Sequence, residues 1–150
     1  MQEVANRGIV RPPLVYIGAI AAGFLLHGAW PISLGLGAPL GAAAMLLALA
    51  LFAWAVRTLR RAGTPVPGDR PTTAVVRAGP FRYSRNPIYL AFSLLHFGIA
   101  CWMDSAWLLL TLLPAVALMA MVVIPREERY LAARFASEYL PYKSAVRRWL

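Results

Sequence analysis

The chain has 150 residues, of which 60% are hydrophobic and 14% charged, and its formal net charge is +9. A soluble domain of this length needs a more polar surface, so the composition excludes an ordinary soluble protein. The basic excess does not indicate nucleic acid binding, because membrane topology and anionic inner-leaflet lipids account for Arg at a cytoplasmic boundary. The single cysteine, Cys101, excludes an intramolecular disulfide and a cysteine-based metal site.

Long apolar runs alternate with basic segments along the chain. All fifteen Lys and Arg residues lie in residues 1–11, 57–85 and 126–148. The apolar runs between them predict four transmembrane helices, each about the length that crosses a ~30 Å hydrocarbon layer. These predicted spans are residues 14–30, 38–56, 88–103 and 107–124.

The distribution of charge predicts the orientation of these spans. The connections at 31–37 and 104–106 carry no Lys or Arg, whereas both termini and the middle loop do. The positive-inside rule therefore places both termini and the middle loop in the cytoplasm. We expect one all-α integral membrane domain over residues 1–150, in the inner membrane of a bacterium, with a short amphipathic helical cap on the cytoplasmic side.

Small residues in the first two spans are of the kind that lets membrane helices approach closely. They are Gly18, Ala22, Gly23, Gly41 to Ala44, and Ala48. We interpret them as packing surfaces rather than as sites.

The third and fourth predicted spans have similar lengths, and only Asp104 to Ala106 join them. They must form an antiparallel hairpin that returns the chain to nearly the same membrane depth. The segment before Ile88 should therefore meet the segment after Ile124. This predicts a polar cluster at one cytoplasmic edge.

Most residues of this cluster also have a structural explanation. Asn86 followed by Pro87 is a good helix start, with Asn as the N-cap and Pro at the first helical position. Arg residues here are typical topology signals, and Tyr residues are typical of the aromatic belt. Those with such an explanation are Arg82, Tyr83, Arg85 and Tyr89.

Glu127 and Glu128 are harder to explain in this way, because acidic residues contribute little to orientation and need partners when partly desolvated. Their structural explanation is an ion pair with Arg82 or Arg85.

The last segment shows helical periodicity. Its apolar and aromatic positions Leu131, Phe135, Tyr139 and Tyr142 fall on one face, which predicts an amphipathic helix on the cytoplasmic membrane surface. We expect Pro141 to end or kink this helix. The basic tail beyond it, with Trp149, should lie at the lipid headgroups.

Two motifs, in this order and spacing, carry a specific resemblance. The first is Gly79-Pro80-Phe81-Arg82-x-x-Arg85-Asn86-Pro87-x-Tyr89, and the second is Glu127-Glu128-x-x-Leu131-x-x-x-Phe135-x-x-x-Tyr139-x-x-Tyr142. Together they resemble the isoprenylcysteine carboxyl methyltransferase family, and the related phospholipid N-methyltransferases share both blocks. The resemblance runs from about Thr72 onward, roughly half of the chain.

The resemblance implies an integral membrane methyltransferase that uses S-adenosylmethionine and no metal. Its cofactor region would be residues 72–89 and 125–150, and its acceptor a membrane lipid or lipid-like amphiphile. The cofactor-binding residues that it implies are Gly79, Pro80, Arg85, Asn86, Tyr89, Glu127, Glu128, Tyr139 and Tyr142. The Pro- and Gly-rich stretch at 63–69 is expected to be an irregular linker near the opening of this region.

Two positions depart from the family pattern. Carboxyl methyltransferases often have His where this chain has Asn86, which the phospholipid enzymes also use, so this residue leaves the substrate open. A Gly often found after the aromatic residue of the last helix is here Ala136.

The acceptor decides which catalytic groups are needed. A carboxylate acceptor is already nucleophilic and needs only an orienting cation, for which Arg85 and Arg126 are the candidates. An amine acceptor must first lose a proton, and a Glu such as Glu128 would serve as the base. Carboxylate O-methylation is the favoured interpretation, and phospholipid amine N-methylation the alternative.

A non-catalytic membrane protein, such as a small transporter or an assembly protein, is a further alternative. A transporter of ions or cationic drugs normally carries an ionisable side chain within a span, and here only His27 and His96 qualify. Two isolated His residues on separate spans are more typical of packing or of helix-to-helix hydrogen bonds.

Overall fold

A computed structural model of the protein describes residues 10–66 and 71–150. Over these residues the chain is all-helical, without a strand. The helices are α1 (Pro12–Ala29), α2 (Ala38–Arg61), α3 (Pro87–Trp102), α4 (Ala106–Leu118), α5 (Ile124–Arg134) and α6 (Ala136–Ala145). A short 3-10 helix (Gly79–Arg82) precedes α3, and a π-helical segment (Met119–Val123) joins α4 to α5. Of the predicted basic segment at 1–11, residues 1–9 lie outside the described residues.

Three helices are long and apolar enough to cross a membrane. They are Pro12–Ala29, Ala38–Arg61 and the continuous helix Ala106–Arg134. Leu25, Leu46 and Leu113 on these helices are 76%, 68% and 65% exposed, as lipid-facing side chains would be. Helix α3 is apolar but has 16 residues, or ~24 Å of helix, less than the ~30 Å of a hydrocarbon layer. The prediction of four spans is therefore confirmed for three helices, and α3 is a shorter apolar helix.

Close helix contacts occur where the sequence places glycine. A Cβ added at Gly41 of α2 would lie 2.7 Å from the Gly98 carbonyl oxygen, and one added at Gly98 would lie 2.9 Å from the Met45 backbone nitrogen. A Cβ at Gly23 of α1 would lie 2.6 Å from a Leu108 methyl carbon of α4. These glycines allow α2 to pack on α3 and α1 on α4. Gly18, predicted to serve in the same way, has no atom within 4 Å of its added Cβ.

The helix that follows the Asp104 turn does not end at Ile124. The prediction of a separate surface helix after that residue was wrong, because α4, the π segment and α5 form one continuous helix to Arg134. Pro125 lies just after the π segment and has no N–H to continue the helical hydrogen bonds. In the π segment the Ile124 N–H bonds to the Met119 carbonyl, five residues back. The charged part of this helix therefore continues directly from its apolar part.

The amphipathic helix predicted over Leu131 to Tyr142 is divided in two. Phe135 has non-helical dihedrals (φ −128°, ψ 40°) and separates α5 from α6. Pro141 does not end the last helix as expected, because α6 continues to Ala145 around it. Tyr139 and Tyr142 are buried, so α6 packs against the protein rather than lying only on a membrane surface.

The connection between α2 and α3 lies at the end of the helices where α2 ends and α3 begins. Thr64 Oγ1 accepts the Thr73 N–H (3.0 Å), which draws together the two described ends of the linker predicted at 63–69. Of that linker, residues 67–69 lie outside the described residues. Gly79 begins the 3-10 helix with a positive φ of 56°, which favours glycine. The apolar cluster beside this connection is built from Tyr16, Ala55, Leu59, Phe81, Ile88, Tyr89, Ala115, Met119, Val123 and Ile124.

Candidate cofactor and acceptor site

The predicted convergence of the two motif segments is confirmed. The start of α3, the start of α5 and the tyrosines of α6 surround one cavity of ≈ 80 Å³. Its wall is completed by the connection before the 3-10 helix. The lining residues are Leu59, Thr72, Ala74, Val75, Val76, Phe81, Arg85, Asn86, Pro87, Ile88, Tyr89, Glu127, Glu128, Tyr130, Leu131, Tyr139 and Tyr142.

Glu128 is the centre of an ion-pair cluster in this wall. Its side chain is 8% exposed and lies 2.9 Å from Arg85 Nη1 and 2.8 Å from Arg148 Nη2. Lys143 Nζ is more distant, at 3.7 Å. A buried carboxylate needs such partners, because desolvation otherwise exceeds any gain from its burial. The structural explanation offered for Glu128, a pair with Arg85, is therefore correct, and the second one, with Arg82, is not: Arg82 is exposed.

Glu127 has a different environment from its neighbour. The Tyr89 hydroxyl donates a hydrogen bond to Glu127 Oε1, and no Lys, Arg or His of the described residues forms a salt bridge with it. Tyr89 is buried in the wall of the cavity and does not belong to an aromatic belt. Glu127 therefore presents a carboxylate with one neutral donor, whereas Glu128 is surrounded by cations.

Asn86 occupies the N-cap position of α3, but its side chain does not cap the helix. Its Nδ2 donates to the Arg148 carbonyl (3.0 Å), and its backbone N–H donates to Ser84 Oγ (3.1 Å). Pro87 follows at the first helical position, as predicted. The first-turn N–H groups of α3 thus receive no side-chain cap from Asn86.

The tyrosines of α6 form one side of the cavity wall. The Tyr142 hydroxyl donates to the Phe81 carbonyl (2.7 Å), which ties α6 to the 3-10 helix. Arg85 Nη1 donates to the Tyr139 hydroxyl (3.4 Å). Burial raises the pKa of both tyrosines, and at Tyr139 the hydrogen bond from Arg85 opposes this rise. Both phenols are therefore neutral at physiological pH.

Three predicted site residues lie outside this cavity. Arg126 is exposed on α5 and does not line it. Gly79 and Pro80 form the turn that positions the first motif, where an added Cβ at Gly79 would meet the Thr58 side chain at 2.5 Å. Gly79 and Pro80 therefore affect the cavity only by setting the course of the backbone that leads to the first motif.

Sequence reasoning missed Arg148 and Lys143, whose charges were assigned to a tail at the headgroups. The wall formed by Thr72, Ala74, Val75 and Val76 has no motif character, but it lies within the predicted cofactor region at 72–89. The sequence offers one signal for Arg148, a charge close to the apolar residues Val146 and Trp149. This pattern is as typical of a membrane surface as of a buried ion pair, so it does not predict a place in the site.

The donor set of the cavity fits S-adenosylmethionine in chemical type. A carboxylate, Glu127, matches an ammonium group, and the α3 N-terminus matches a carboxylate. Arg85 Nε is buried and has no hydrogen-bond partner among the described residues, which leaves one donor for a ligand. The volume is below the ~300–1,000 Å³ of pockets that enclose drug-sized ligands, so a whole nucleoside cofactor would extend beyond the cavity.

The two histidines are remote from this cavity. His96 is fully buried in α3 with Nε2 3.5 Å from Thr111 Oγ1, a helix-to-helix contact of the kind expected for packing. His27 lies on α1, and neither residue lines the cavity. Within residues 10–66 and 71–150, no group of three or more His, Cys, Asp or Glu side chains is placed to hold a metal ion.

Comparison with known proteins agrees with this geometry. The profile of the phospholipid methyltransferase family matches residues 37–138. This range includes the whole first motif and the second motif up to Glu138. An uncharacterized protein of Haemophilus influenzae is 33% identical over 63 residues, which cover 42% of this chain and all of that protein. No solved structure matches the chain. With more than half of its length matched, including the starts of α3 and α5 that line the cavity, this integral membrane chain belongs to the phospholipid methyltransferase family.

Proposed function

We propose that the protein transfers a methyl group from S-adenosylmethionine to the carboxylate of a lipid or lipid-like amphiphile. The observation that carries this proposal is the presence in one cavity of two complementary groups. They are the carboxylate of Glu127 and the Nε–H of Arg85, which has no hydrogen-bond partner among the described residues. One group suits a cation and the other an anion. Membership of a methyltransferase family supplies the reaction class.

Glu127 is the residue to which we assign the ammonium group of the cofactor. Within the part of the chain that the structure describes, it accepts only a phenol hydrogen bond from Tyr89, whereas Glu128 is already engaged with Arg85, Lys143 and Arg148. The first turn of α3 offers backbone N–H groups for the cofactor carboxylate. S-adenosylmethionine, when bound, supplies an electrophilic methyl group, and the chain's part is to hold donor and acceptor in line in a site with little water.

Arg85 is the residue to which we assign the acceptor carboxylate. Its guanidinium is fixed by Glu128 and by Tyr139, which leaves Nε to orient an anion. Arg126, the other predicted candidate, is exposed and outside the cavity. Because a carboxylate is already nucleophilic, this reaction needs no general base.

The membrane arrangement forms part of the proposal. We infer that α3 also spans the bilayer, as the partner of α4 in the hairpin, and that the basic segments face the cytoplasm of a bacterium. The cavity then lies at the inner leaflet, where an amphiphile reaches it from the bilayer and the cofactor from the cytosol.

N-methylation of a phospholipid amine, such as that of phosphatidylethanolamine, is the second candidate. The family whose profile matches the chain favours it. In this reaction an acceptor ammonium must lose a proton before it attacks, and Glu127 would take this proton instead of binding the cofactor ammonium.

Alkaline hydrolysis of the product distinguishes the two. Purified protein is incubated with membrane lipid extract and methyl-labelled S-adenosylmethionine, and the labelled lipid is then treated with alkali and extracted. A methyl ester releases volatile labelled methanol, whereas an N-methyl group stays on the headgroup. Label retained after alkali overturns O-methylation in favour of N-methylation. Absence of both label transfer and S-adenosylhomocysteine binding by the folded protein overturns the methyltransferase assignment.

A further inference from the structure

The segment after α6 folds back onto the cavity. Residues 146–150 follow the last helix, and Trp149 packs against the apolar cluster beside the site. The Arg148 guanidinium reaches Glu128 with two hydrogen bonds, from Nε to Oε1 (3.0 Å) and from Nη2 to Oε2 (2.8 Å). This bidentate geometry is the strongest form of an Arg–carboxylate contact. The hydrogen bonds to Glu128 also raise the pKa of Arg148.

The backbone of the same segment holds the first motif. The Arg85 N–H donates to the Arg147 carbonyl (3.0 Å), and Asn86 Nδ2 donates to the Arg148 carbonyl (3.0 Å). The Ser84 hydroxyl donates to that carbonyl as well (3.3 Å). One residue, Arg148, therefore bonds to the first motif through its carbonyl and to the second through its side chain.

A third contact links Arg148 to the π segment. Its Nη1 donates to the Ala120 carbonyl (3.4 Å). In a π helix that carbonyl would accept from the residue five positions later, which is Pro125 and has no N–H. Arg148 thus bonds to a helix carbonyl that the sequence leaves without its π-helical donor.

The charges around Glu128 argue against a role for it as the cofactor's ammonium ligand. Three cations, Arg85, Lys143 and Arg148, lie within 4.0 Å of one carboxylate, so the cluster has two more positive charges than negative ones. A further cation is disfavoured there. Glu128 instead connects Arg148 to Arg85 and fixes both guanidinium groups.

We propose that Arg148 is a positioning residue of the methyltransferase site, which clamps the two motif segments together through Glu128 and Asn86. It lies outside residues 37–138, the part matched by the family profile. This inference rests on the proposed function in that the site it organises is the cofactor site. Arg148 acts through Glu128 and touches no ligand itself.

The test compares two neighbouring arginines. Arg148→Gln removes the side-chain bonds of the clamp to Glu128 and Ala120, whereas Arg147→Gln removes the same charge from an exposed side chain. Both variants keep the backbone carbonyls that bond to the first motif. S-adenosylhomocysteine is titrated into the full chain in detergent. We expect R148Q to weaken its affinity by about tenfold or more, the usual cost of losing a charged hydrogen bond, and R147Q to leave it unchanged.

A double-mutant cycle separates positioning from a general loss of structure. If Arg148 acts through Glu128, adding R148Q to E128Q lowers the affinity and the melting temperature much less than R148Q does alone. Arg148→Lys keeps the charge but not the bidentate geometry, so we expect an intermediate affinity, and this variant carries the comparison if R148Q does not fold. Equal effects of R148Q and R147Q, tighter binding by R148Q, or independent effects of R148Q and E128Q would overturn the clamp.

Failure of the clamp and failure of the proposed function give different results. A wild-type protein that does not bind S-adenosylhomocysteine contradicts the cofactor assignment. The coupling between Arg148 and Glu128 is still measured in that case, from melting temperatures alone, and a coupling of zero contradicts the clamp by itself.

Discussion

The two ends of the helix bundle are stabilised by different interactions. At the cavity end, separate segments meet through buried charges and hydroxyls, with Glu128 between Arg85 and Arg148. At the opposite end, backbones touch directly at Gly41 and Gly98, and the loops are joined by hydrogen bonds, two of them to the Asp104 carboxylate. Small residues stabilise helix packing but offer no group that binds a ligand. Burying charged side chains costs hydration free energy, but it places polar groups where a ligand can bind to them. Substitutions at the two ends should therefore affect different measurements.

The largest effect is expected at Glu127. Glu127→Gln keeps an acceptor for the Tyr89 hydroxyl but removes the charge assigned to the cofactor ammonium. We expect the affinity for S-adenosylhomocysteine to fall by about 100-fold, as for loss of a charged hydrogen bond, with little change in melting temperature. Isothermal titration in detergent measures this.

The matched control is Glu138→Gln, since Glu138 is exposed on α6. An E127Q protein that binds as tightly as E138Q would show that the cavity end does not use Glu127 for the cofactor.

Gly41 tests the opposite end. In Gly41→Ala the new methyl group would lie 2.7 Å from the Gly98 carbonyl and 2.8 Å from Trp102 Cα, both backbone atoms that cannot move aside independently. We expect a loss of stability of about 1–3 kcal/mol, the usual cost of overpacking. Unfolding in detergent measures it, with cofactor affinity unchanged in the protein that remains folded.

Gly18→Ala is the control on a lipid-facing helix surface, since its added Cβ meets nothing within 4 Å. It should be neutral, or more stable by up to about 1 kcal/mol. Equal destabilisation by G18A and G41A would contradict the close packing of α2 on α3.

The fold and the site were predictable to different degrees. The hairpin that brings Arg85 to Glu128 was predictable from two apolar runs joined by a very short connection. The second run has to bring the chain back to the side of the membrane on which the first run began. The break at Phe135 did not follow, since its neighbours continue the helical period. Without that break, Arg148 could only be placed at the headgroups, where a basic residue is equally at home. Ion pairs formed by a returning segment depend on tertiary structure that local periodicity does not encode.

The same limit applies to the π segment. Nothing in the composition of Met119 to Val123 distinguishes a wider helical turn from a regular one. Only the neighbouring Pro125, which lacks an N–H, indicates that a carbonyl there needs another donor. Predicting the continuous helix Ala106–Arg134 would have required ignoring both this proline and the end of the apolar run.

Tyr142 gives a smaller effect at the cavity end. Tyr142→Phe leaves the Phe81 carbonyl without the buried hydroxyl that donates to it at 2.7 Å. We expect a loss of about 1 kcal/mol in unfolding free energy, the net value of one such hydrogen bond. The control is Tyr83→Phe, whose hydroxyl belongs to a side chain that is 63% exposed. Equal melting temperatures for the two variants would contradict the role of this bond in holding α6.

The smallest effect is expected at Asp104, in the turn between α3 and α4. Its carboxylate accepts the backbone N–H groups of Leu36 (2.8 Å) and Leu34 (3.1 Å). The bond from Leu36 is the main reason that the pKa of Asp104 is lowered from its usual 3.8. A lowered pKa contributes stability that is present above the unfolded-state value and is lost as the pH falls through the folded-state value.

Asp104→Asn should therefore lower the melting temperature slightly at neutral pH. The difference from wild type should begin to shrink below the unfolded-state pKa and vanish only below the lower folded-state pKa. Melting curves over this pH range measure the difference, and a gap that persists in acid would contradict the charge as its cause. The affinity for S-adenosylhomocysteine at neutral pH should be unchanged, because this turn lies at the end of the hairpin remote from the cavity. A loss of affinity in D104N would mean that the two ends are coupled through the short helix α3, and that the division between a stabilising end and a ligand-binding end is wrong.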